Sequence, residues 1–451
     1  VLHWVFAGGG TTSVRQPQRL RDLDKDEYQK ILRRADVKIE DTLSVIIPIV
    51  KEVEKGGDAA VTKFTAQFDG VDLAPKDFQV SQKRVKAAYQ KVSPELIVSL
   101  KKMHQQVWDF HQRQRREDWS IDKFFLNNKE ARYQLGQRFI PVERAGVYVP
   151  GGKAGYPSTA IMAIVPAKIA GVKNIIAVSP PSAKEEMADA IMVAADIAGA
   201  DSLFNIGGAQ AIAALVYGTS TIPQVDIVVG PGNAYVQAAK AYLFGLGKIA
   251  VDSPAGPSEI LIIADDSANY EYIARDILSQ TEHAEDNCAI LITTSEQLAE
   301  RVYKYLKGEI SHCLRKTFIE KSLSDYGAIF ITDSLNGAIQ FANDFAPEHL
   351  EIMTENPDDV LRKIENAGSV FLGDYSPVAA ADYLTGTNHI LPTGGSAKRF
   401  SGLSVQTFLK SMTYQSLSRE ALRSMSSDIV NIASSEGPYT EHIRSVKIRE
   451  E

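Results

Sequence analysis

Cysteine is nearly absent from this sequence: 451 residues carry only Cys288 and Cys313, with no CxxC pair. That excludes a thiolate zinc site, an iron–sulfur centre and a disulfide framework. Cys288 stands in the apolar run Cys288-Ala289-Ile290-Leu291-Ile292, where it reads as a small buried hydrophobe. Positive charge is short as well. A formal net charge of -7 leaves no electrostatic footprint for a nucleic-acid backbone or an anionic membrane surface. No apolar run approaches the roughly 20 residues that span a bilayer. The opening Val1-Leu2-His3-Trp4-Val5-Phe6-Ala7 resembles a short signal core but lacks a basic leader and a full apolar stretch. It is expected to be a loose or processed terminus, with the cytoplasm as the compartment. The GxGxxG fingerprint of dinucleotide sites is also missing.

What is present is apolar mass. With 44% hydrophobic residues the chain can bury a large core, and its length implies more than one folding unit. From Asp24 to about Asn128 the pattern is helical, over 24–34, 42–55, 59–68 and 94–116, with breaks at Gly56-Gly57 and Asp69-Gly70. This third of the chain gathers no chemistry; His104 and His111, seven apart, read as solvated or packing residues. After Arg132, strand-like runs alternate with helices, at 146–149, 174–178, 203–206, 226–229, 259–264, 289–293, 328–332, 350–353 and 369–372. Repeated βα units predict an α/β protein with mostly parallel sheets, and nine strands predict two such domains. From Lys398 onward the pattern predicts helices only.

Three glycine turns follow strands: Tyr148-Val149-Pro150-Gly151-Gly152, Gly207-Gly208-Ala209-Gln210 and Gly230-Pro231-Gly232-Asn233. Glycine lets backbone amides approach a ligand, and a helix N-terminus favours phosphate; tight packing explains such turns equally well. The loop from Ser253 to Glu259 suits a cleft wall or a proline-stiffened linker. Gln280 and His283 share one face at the end of a helical pattern beginning near Tyr270, offering an oxygen and an imidazole to one metal. Alone, the commoner reading is a histidine near a helix C-terminus. Ala346-Pro347-Glu348-His349-Leu350 sets a carboxylate beside an imidazole, two proton acceptors of different basicity, or else opens a helical turn with Pro347 at its first position. Asp382 is a possible hard-oxygen ligand or a capping aspartate.

Taken together, GVYVPGG at 146–152, AKIAGVKNI at 167–175, GGAQAIAAL at 207–215, VGPGNAYV at 229–236, AGPSEILIIAD at 255–265, ILSQTEH at 277–283, APEHL at 346–350 and GTNHILPTGG at 386–395 resemble the histidinol dehydrogenase family in unbroken order. The resemblance implies a zinc enzyme that oxidises L-histidinol to L-histidine through the aldehyde with two NAD+. It further implies a homodimer with shared active sites, built from two incomplete Rossmann-like domains and a helical tail that crosses to the partner. Carried onto this sequence, the implied metal set is Gln280, His283, Asp382 and His442, the last from the other chain. Glu348 and His349 are the implied catalytic pair. Ser258, Gln280, His283, His349, Asp382, Glu436 and His442 are the implied substrate contacts, and Tyr148, Gln210 and Asn233 the implied NAD contacts. The implied division is 1–23 as an extension, 24–145 with 250–380 as the first α/β domain, 146–249 as the second, NAD-binding domain, and 381–451 as the crossing tail. One departure from the family's pattern lies in that tail, where Glu436 and His442 are separated by one residue more than usual.

Overall fold

The computed structural model describes residues 14–34, 39–151, 155–182, 187–253, 256–438 and 440–450. Residues 1–13 of the expected extension, Gly152 of the first glycine turn, Pro254 and Ala255 of the 253–259 loop, and Tyr439 of the tail lie outside them. In chain order the strands are β1 (Gln18–Arg19), β2 (Trp119–Phe124), β3 (Arg132–Pro141), β4 (Arg144–Tyr148), β5 (Asn174–Val178), β6 (Ser202–Phe204), β7 (Ile227–Val229), β8 (Ala250–Val251), β9 (Glu259–Ala264), β10 (Cys288–Thr293), β11 (Gly327–Ile331), β12 (His349–Met353), β13 (Ser369–Leu372) and β14 (Leu409–Leu417). All nine expected strands form, and the protein is α/β with mostly parallel sheets. The chain divides into two compact units, Val1–Gln114 with Glu143–Phe408, and Arg115–Val142 with Leu409–Glu451.

The first unit holds two sheets. One has the order β1-β11-β10-β9-β12-β13 and is parallel at every pairing. Its central strand β9 is an uninterrupted buried run, because helices cover both faces of a parallel sheet. Strand periodicity sends Ile260 and Ile262 into a core shared with Ile273 and Ile277, and Leu261 and Ile263 into one shared with Phe341 and Phe345. The other sheet, β6-β5-β4-β7-β8, is also parallel throughout. The helices Ile39–Gly56 and Asp58–Asp69 were expected to belong with the 250–380 segment. Instead Ile46, Val50, Val53, Val61 and Phe64 join the core of this five-stranded sheet with Ile176, Ile212 and Leu215, while Ile31 joins the six-stranded one. An apolar stripe specifies that a helix buries one face, not which neighbour buries it.

The second unit contains the antiparallel sheet β14-β3-β2 and the helices Arg419–Glu436 and Thr440–Lys447. Here the expectation of helices only beyond Lys398, and of helix through Asn128, fails at β14 and β2. In β2 every residue is exposed and in β14 all but the first are, so neither has the buried face that makes strand alternation visible. Their conformation comes from pairing with β3, a long-range hydrogen-bond ladder.

Candidate active site

Four elements of the first unit, β9, β12 and the helices Tyr270–Thr281 and Val378–Tyr383, bring six of the expected residues to one end of the six-stranded sheet. Ser258 immediately precedes β9, and Glu348 and His349 open the adjacent parallel strand β12, with His349 in register with Ile260. Pro347 and Glu348 therefore lead into a strand, not a helical turn. Ala346, capping the helix Leu335–Phe345 at φ 50°, turns the chain into that strand in a conformation non-glycine residues rarely adopt. On the other side Gly368 packs so closely that a Cβ there would stand 2.6 Å from the Glu348 carbonyl oxygen.

Glu259 is the template for the pair. Its backbone N–H donates to Glu348 Oε2 at 2.9 Å, and its carbonyl accepts from His349 Nδ1 at 2.9 Å. A carbonyl only accepts, so Nδ1 carries the proton and Nε2 the lone pair. That Nε2 is buried and has no hydrogen-bond partner among the described residues. Burial holds the His349 imidazole down to about 4, against the Glu259 hydrogen bond and with help from the nearby His389 and His283. Burial likewise pushes Glu348 well above the usual carboxylate range, opposed by the Glu259 amide, reinforced by the charges of Glu259 and Asp382, and opposed again by a hydrogen bond with Ser258. Glu348 Oε2 also lies 3.6 Å from His349 Nδ1.

The helix Tyr270–Thr281 carries Gln280 in its last turn, and His283 follows two residues past its end. Gln280 is buried; its carbonyl accepts from Asn287 Nδ2 at 2.8 Å and from His283 Nδ1 at 3.4 Å, which leaves His283 Nε2 as that ring's lone pair. Asp382, in the short helix Val378–Tyr383, is pushed up to about 6 by burial and drawn back by His283. A desolvated carboxylate beside an imidazole is an oxygen and nitrogen donor pair that a divalent cation would satisfy. Among the described residues no group of three or more His, Cys, Asp or Glu side chains is arranged for a metal. The expected set supplies only two of those types from this unit, His283 and Asp382. Glu436 and His442 belong to the second unit, Glu436 ending one helix and His442 lying within the next, both exposed.

Tyr148, Gln210 and Asn233 lie at the five-stranded sheet. Tyr148 ends β4 and its hydroxyl accepts the Gly208 N–H at 3.2 Å. Gln210 is fully buried, its Nε2 directed to Asp69 at 3.4 Å and its Oε1 without a donor. Asn233 caps the helix Ala234–Gly245 through Oδ1, which accepts from Tyr235 and Val236.

Several participants carry no local signal in the sequence. Arg34, from the segment thought to gather no chemistry, forks onto both Glu259 carboxylate oxygens at 2.8 and 2.6 Å, and the pair is almost fully buried. Gly394 N–H donates to the same carboxylate at 2.9 Å. A glutamate heading an all-apolar strand was the one available hint. Lys240 and Asp252 form a buried pair at 2.5 Å that grips Gly230 by both its N–H and its carbonyl. His389, within the GTNHILPTGG segment, lies 3.2 Å by Nδ1 from the Asp382 carbonyl and 3.3 Å by Nε2 from Thr159 Oγ1.

The sequence model of the histidinol dehydrogenase family matches residues 32–450. The histidinol dehydrogenase of Methanococcus maripaludis is 44% identical over 434 residues, covering 96% of this chain and 99% of that protein. That of Leptospira interrogans serovar copenhageni is 46% identical over 427 residues, covering 94% and 97%. A crystal structure of histidinol dehydrogenase from Elizabethkingia anophelis superposes with a TM-score of 0.90 at 34% identity, covering 98% of both chains.

Proposed function

The chain belongs to the histidinol dehydrogenase family, and from that premise we propose that it oxidises L-histidinol to L-histidine through L-histidinal with two NAD+. The observation that carries the reading is His349 Nε2: a buried lone pair with no partner among the described residues, on a ring whose other nitrogen is fixed by the Glu259 carbonyl. A neutral imidazole so oriented is ready to accept a proton throughout the neutral range. In this reading His349 takes the alcohol proton as hydride leaves the carbinol carbon. Glu348 then takes a proton from water as its oxygen attacks the aldehyde carbon while His349 returns its proton to the aldehyde oxygen, and the neutral His349 takes the hydroxyl proton of the hydrate as the second hydride leaves. Glu348 suits the middle step because burial raises its proton affinity while the Glu259 amide and Ser258 favour its charged form.

Gln280, His283 and Asp382 are the residues we assign to a zinc ion, with His442 from the tail of a second copy as the fourth ligand. Zinc, when bound, supplies a fixed anchor for the imidazole and amine of the substrate. NAD+, when bound, supplies the hydride acceptor. Tyr148, Gln210 and Asn233 hold it in this reading, and the donor-less Gln210 Oε1 suits a ribose hydroxyl. Ser258 and, from the tail of a second copy, Glu436 contact the substrate in this reading. We also propose that 146–249 is the NAD-binding domain, that 381–451 crosses to a second copy, and that the enzyme works in the cytoplasm. Among the described residues no helix is long and apolar enough to cross a membrane.

The experiment mixes the protein with L-histidinol, NAD+ and zinc and counts NADH per histidine formed. Two are expected. No histidinol-dependent NADH, or one NADH with aldehyde accumulating, would overturn the reading. Shared sites have their own test: Glu348→Gln and His442→Asn dimers are each expected to be nearly inactive, and their reassociated mixture to recover about a quarter of wild-type activity, as two-fold symmetry requires. A mixture with proven heterodimers that stays inactive would remove the crossover.

A further inference from the structure

A buried acid and a half-buried one beneath the site take no part in the chemistry above. Glu351 lies two residues after His349 on β12, hence on the same face of the strand, and is 1% exposed. Asp276 lies on the helix Tyr270–Thr281, one turn before Gln280 and two turns before His283. Glu351 Oε1 accepts the backbone N–H of Val378 at 3.2 Å, the first residue of the helix that carries Asp382. Its other oxygen, Oε2, is buried and receives no hydrogen from any donor among the described residues. The side chain paired with Glu351 is Asp276, also a carboxyl. Two carboxyls form a hydrogen bond only if one carries the proton, and the oxygen lacking a donor is the natural place for it. Burial and the Asp276 charge both raise the proton affinity of Glu351, in agreement with that assignment.

We propose that Glu351 is a positioning residue: it accepts Val378 N–H at Oε1, donates from Oε2 to Asp276, and so sets the spacing of three elements, those bearing Gln280 and His283, His349, and Asp382. The inference rests on the reading that those four residues form the reacting site. Glu351 is the only side chain among the described residues shown to hydrogen-bond toward both helices from the strand that carries the base. Each bond is modest by itself, but a displacement of about 1 Å at a reacting group can cost roughly 100-fold in rate.

The test compares Glu351→Leu and Asp276→Leu, which break the brace, with Glu351→Gln and Asp276→Asn, which can preserve it. A glutamine amide at 351 donates where the proton sat and keeps the acceptor for Val378. Each full-length protein is loaded with cobalt(II), whose visible d–d absorption reports ligand geometry without turnover, and is also assayed as the zinc form. The leucine variants are expected to alter the cobalt spectrum and to lower kcat roughly 10- to 100-fold while KM for NAD+ stays within about twofold. The amide variants are expected to restore both. If Glu351→Leu does not fold, Asp276→Leu, at a half-buried position, carries the same test. Leucine variants indistinguishable from wild type, or Glu351→Gln as damaged as Glu351→Leu, would overturn the brace. A wild-type cobalt spectrum unaffected by His283→Asn would instead overturn the metal reading, and the positioning role with it.

Discussion

At the five-stranded sheet the residues proposed for the cofactor lie past the carboxyl ends of parallel strands: Tyr148 closes β4, Gln210 comes after the Gly207-Gly208 turn that follows β6, and Asn233 after the Gly230 turn that follows β7. At the six-stranded sheet Ser258, Glu348 and His349 stand at the amino ends of β9 and β12. The two ends offer different chemistry. A carboxyl end that turns into a helix presents backbone N–H groups, which suit phosphate and need little from side chains beyond the absence of a Cβ. At the amino ends here the main chain of Glu259 is already committed to Glu348 and His349, so reactivity is carried by buried side chains and by the charges that hold them, Arg34 on Glu259 above all. One half of the molecule should therefore be sensitive to added atoms and the other to removed ones.

The largest expected effect falls on the second half. His349→Asn removes the buried lone pair, and kcat is expected to fall by roughly 10²–10⁴-fold with KM for NAD+ little changed, as steady-state kinetics would read. A proportionate rise in KM for NAD+ would blur the separation of the two sheets. Next comes Arg34→Met, which strands the Glu259 carboxylate in the core; a loss of about 3–5 kcal/mol is expected in urea denaturation. Arg34→Met/Glu259→Gln should recover part of it, because no unpaired charge remains.

The first half is probed by addition. Gly230 has φ 110°, and a Cβ there would stand 2.2 Å from the Tyr148 carbonyl oxygen. Gly230→Ala is expected to cost about 1–3 kcal/mol and to raise KM for NAD+ while leaving histidinol binding intact, measured by denaturation and kinetics. An effect confined to histidinol would reverse the assignment of the sheets.

The smallest effect is a slope. Burial raises the folded-state proton affinity of Glu351 well above the ordinary carboxylate range, and that of Asp276 to about 6. A raised folded pKa gives stability that is complete below the unfolded value, about 4.3 for glutamate, and lost as pH rises through the folded value. The wild type should thus lose Tm relative to Glu351→Gln as pH climbs from about 4 through 6 and beyond. Parallel Tm curves for the two proteins would mean that the pair does not hold a shared proton.

The nine apolar strands were legible because a buried parallel strand is a short continuous run bounded by turn residues, and this signal survives without tertiary information. β2 and β14 were not, since an exposed strand is specified by its pairing partner. The long motifs were legible for a different reason: Gln280, His283, Glu348, His349 and Asp382 sit in local segments whose order resembles one family. Arg34 was invisible because an arginine at a helix end is ordinarily a surface residue, and its partner Glu259 lies 225 positions away.

Sequence alone determined the fold class, the family and the candidate residues, since each depends on local composition, spacing and order along the chain. Tertiary structure decided which sheet the early helices join, which nitrogen of His349 carries the lone pair, that Arg34 holds Glu259, and that Glu351 accepts from Val378. Those are questions of desolvation and hydrogen-bond partnership between residues remote in sequence. Burial turns an ordinary carboxyl into a proton carrier and an ordinary arginine into an anchor, and burial exists only once the chain has folded.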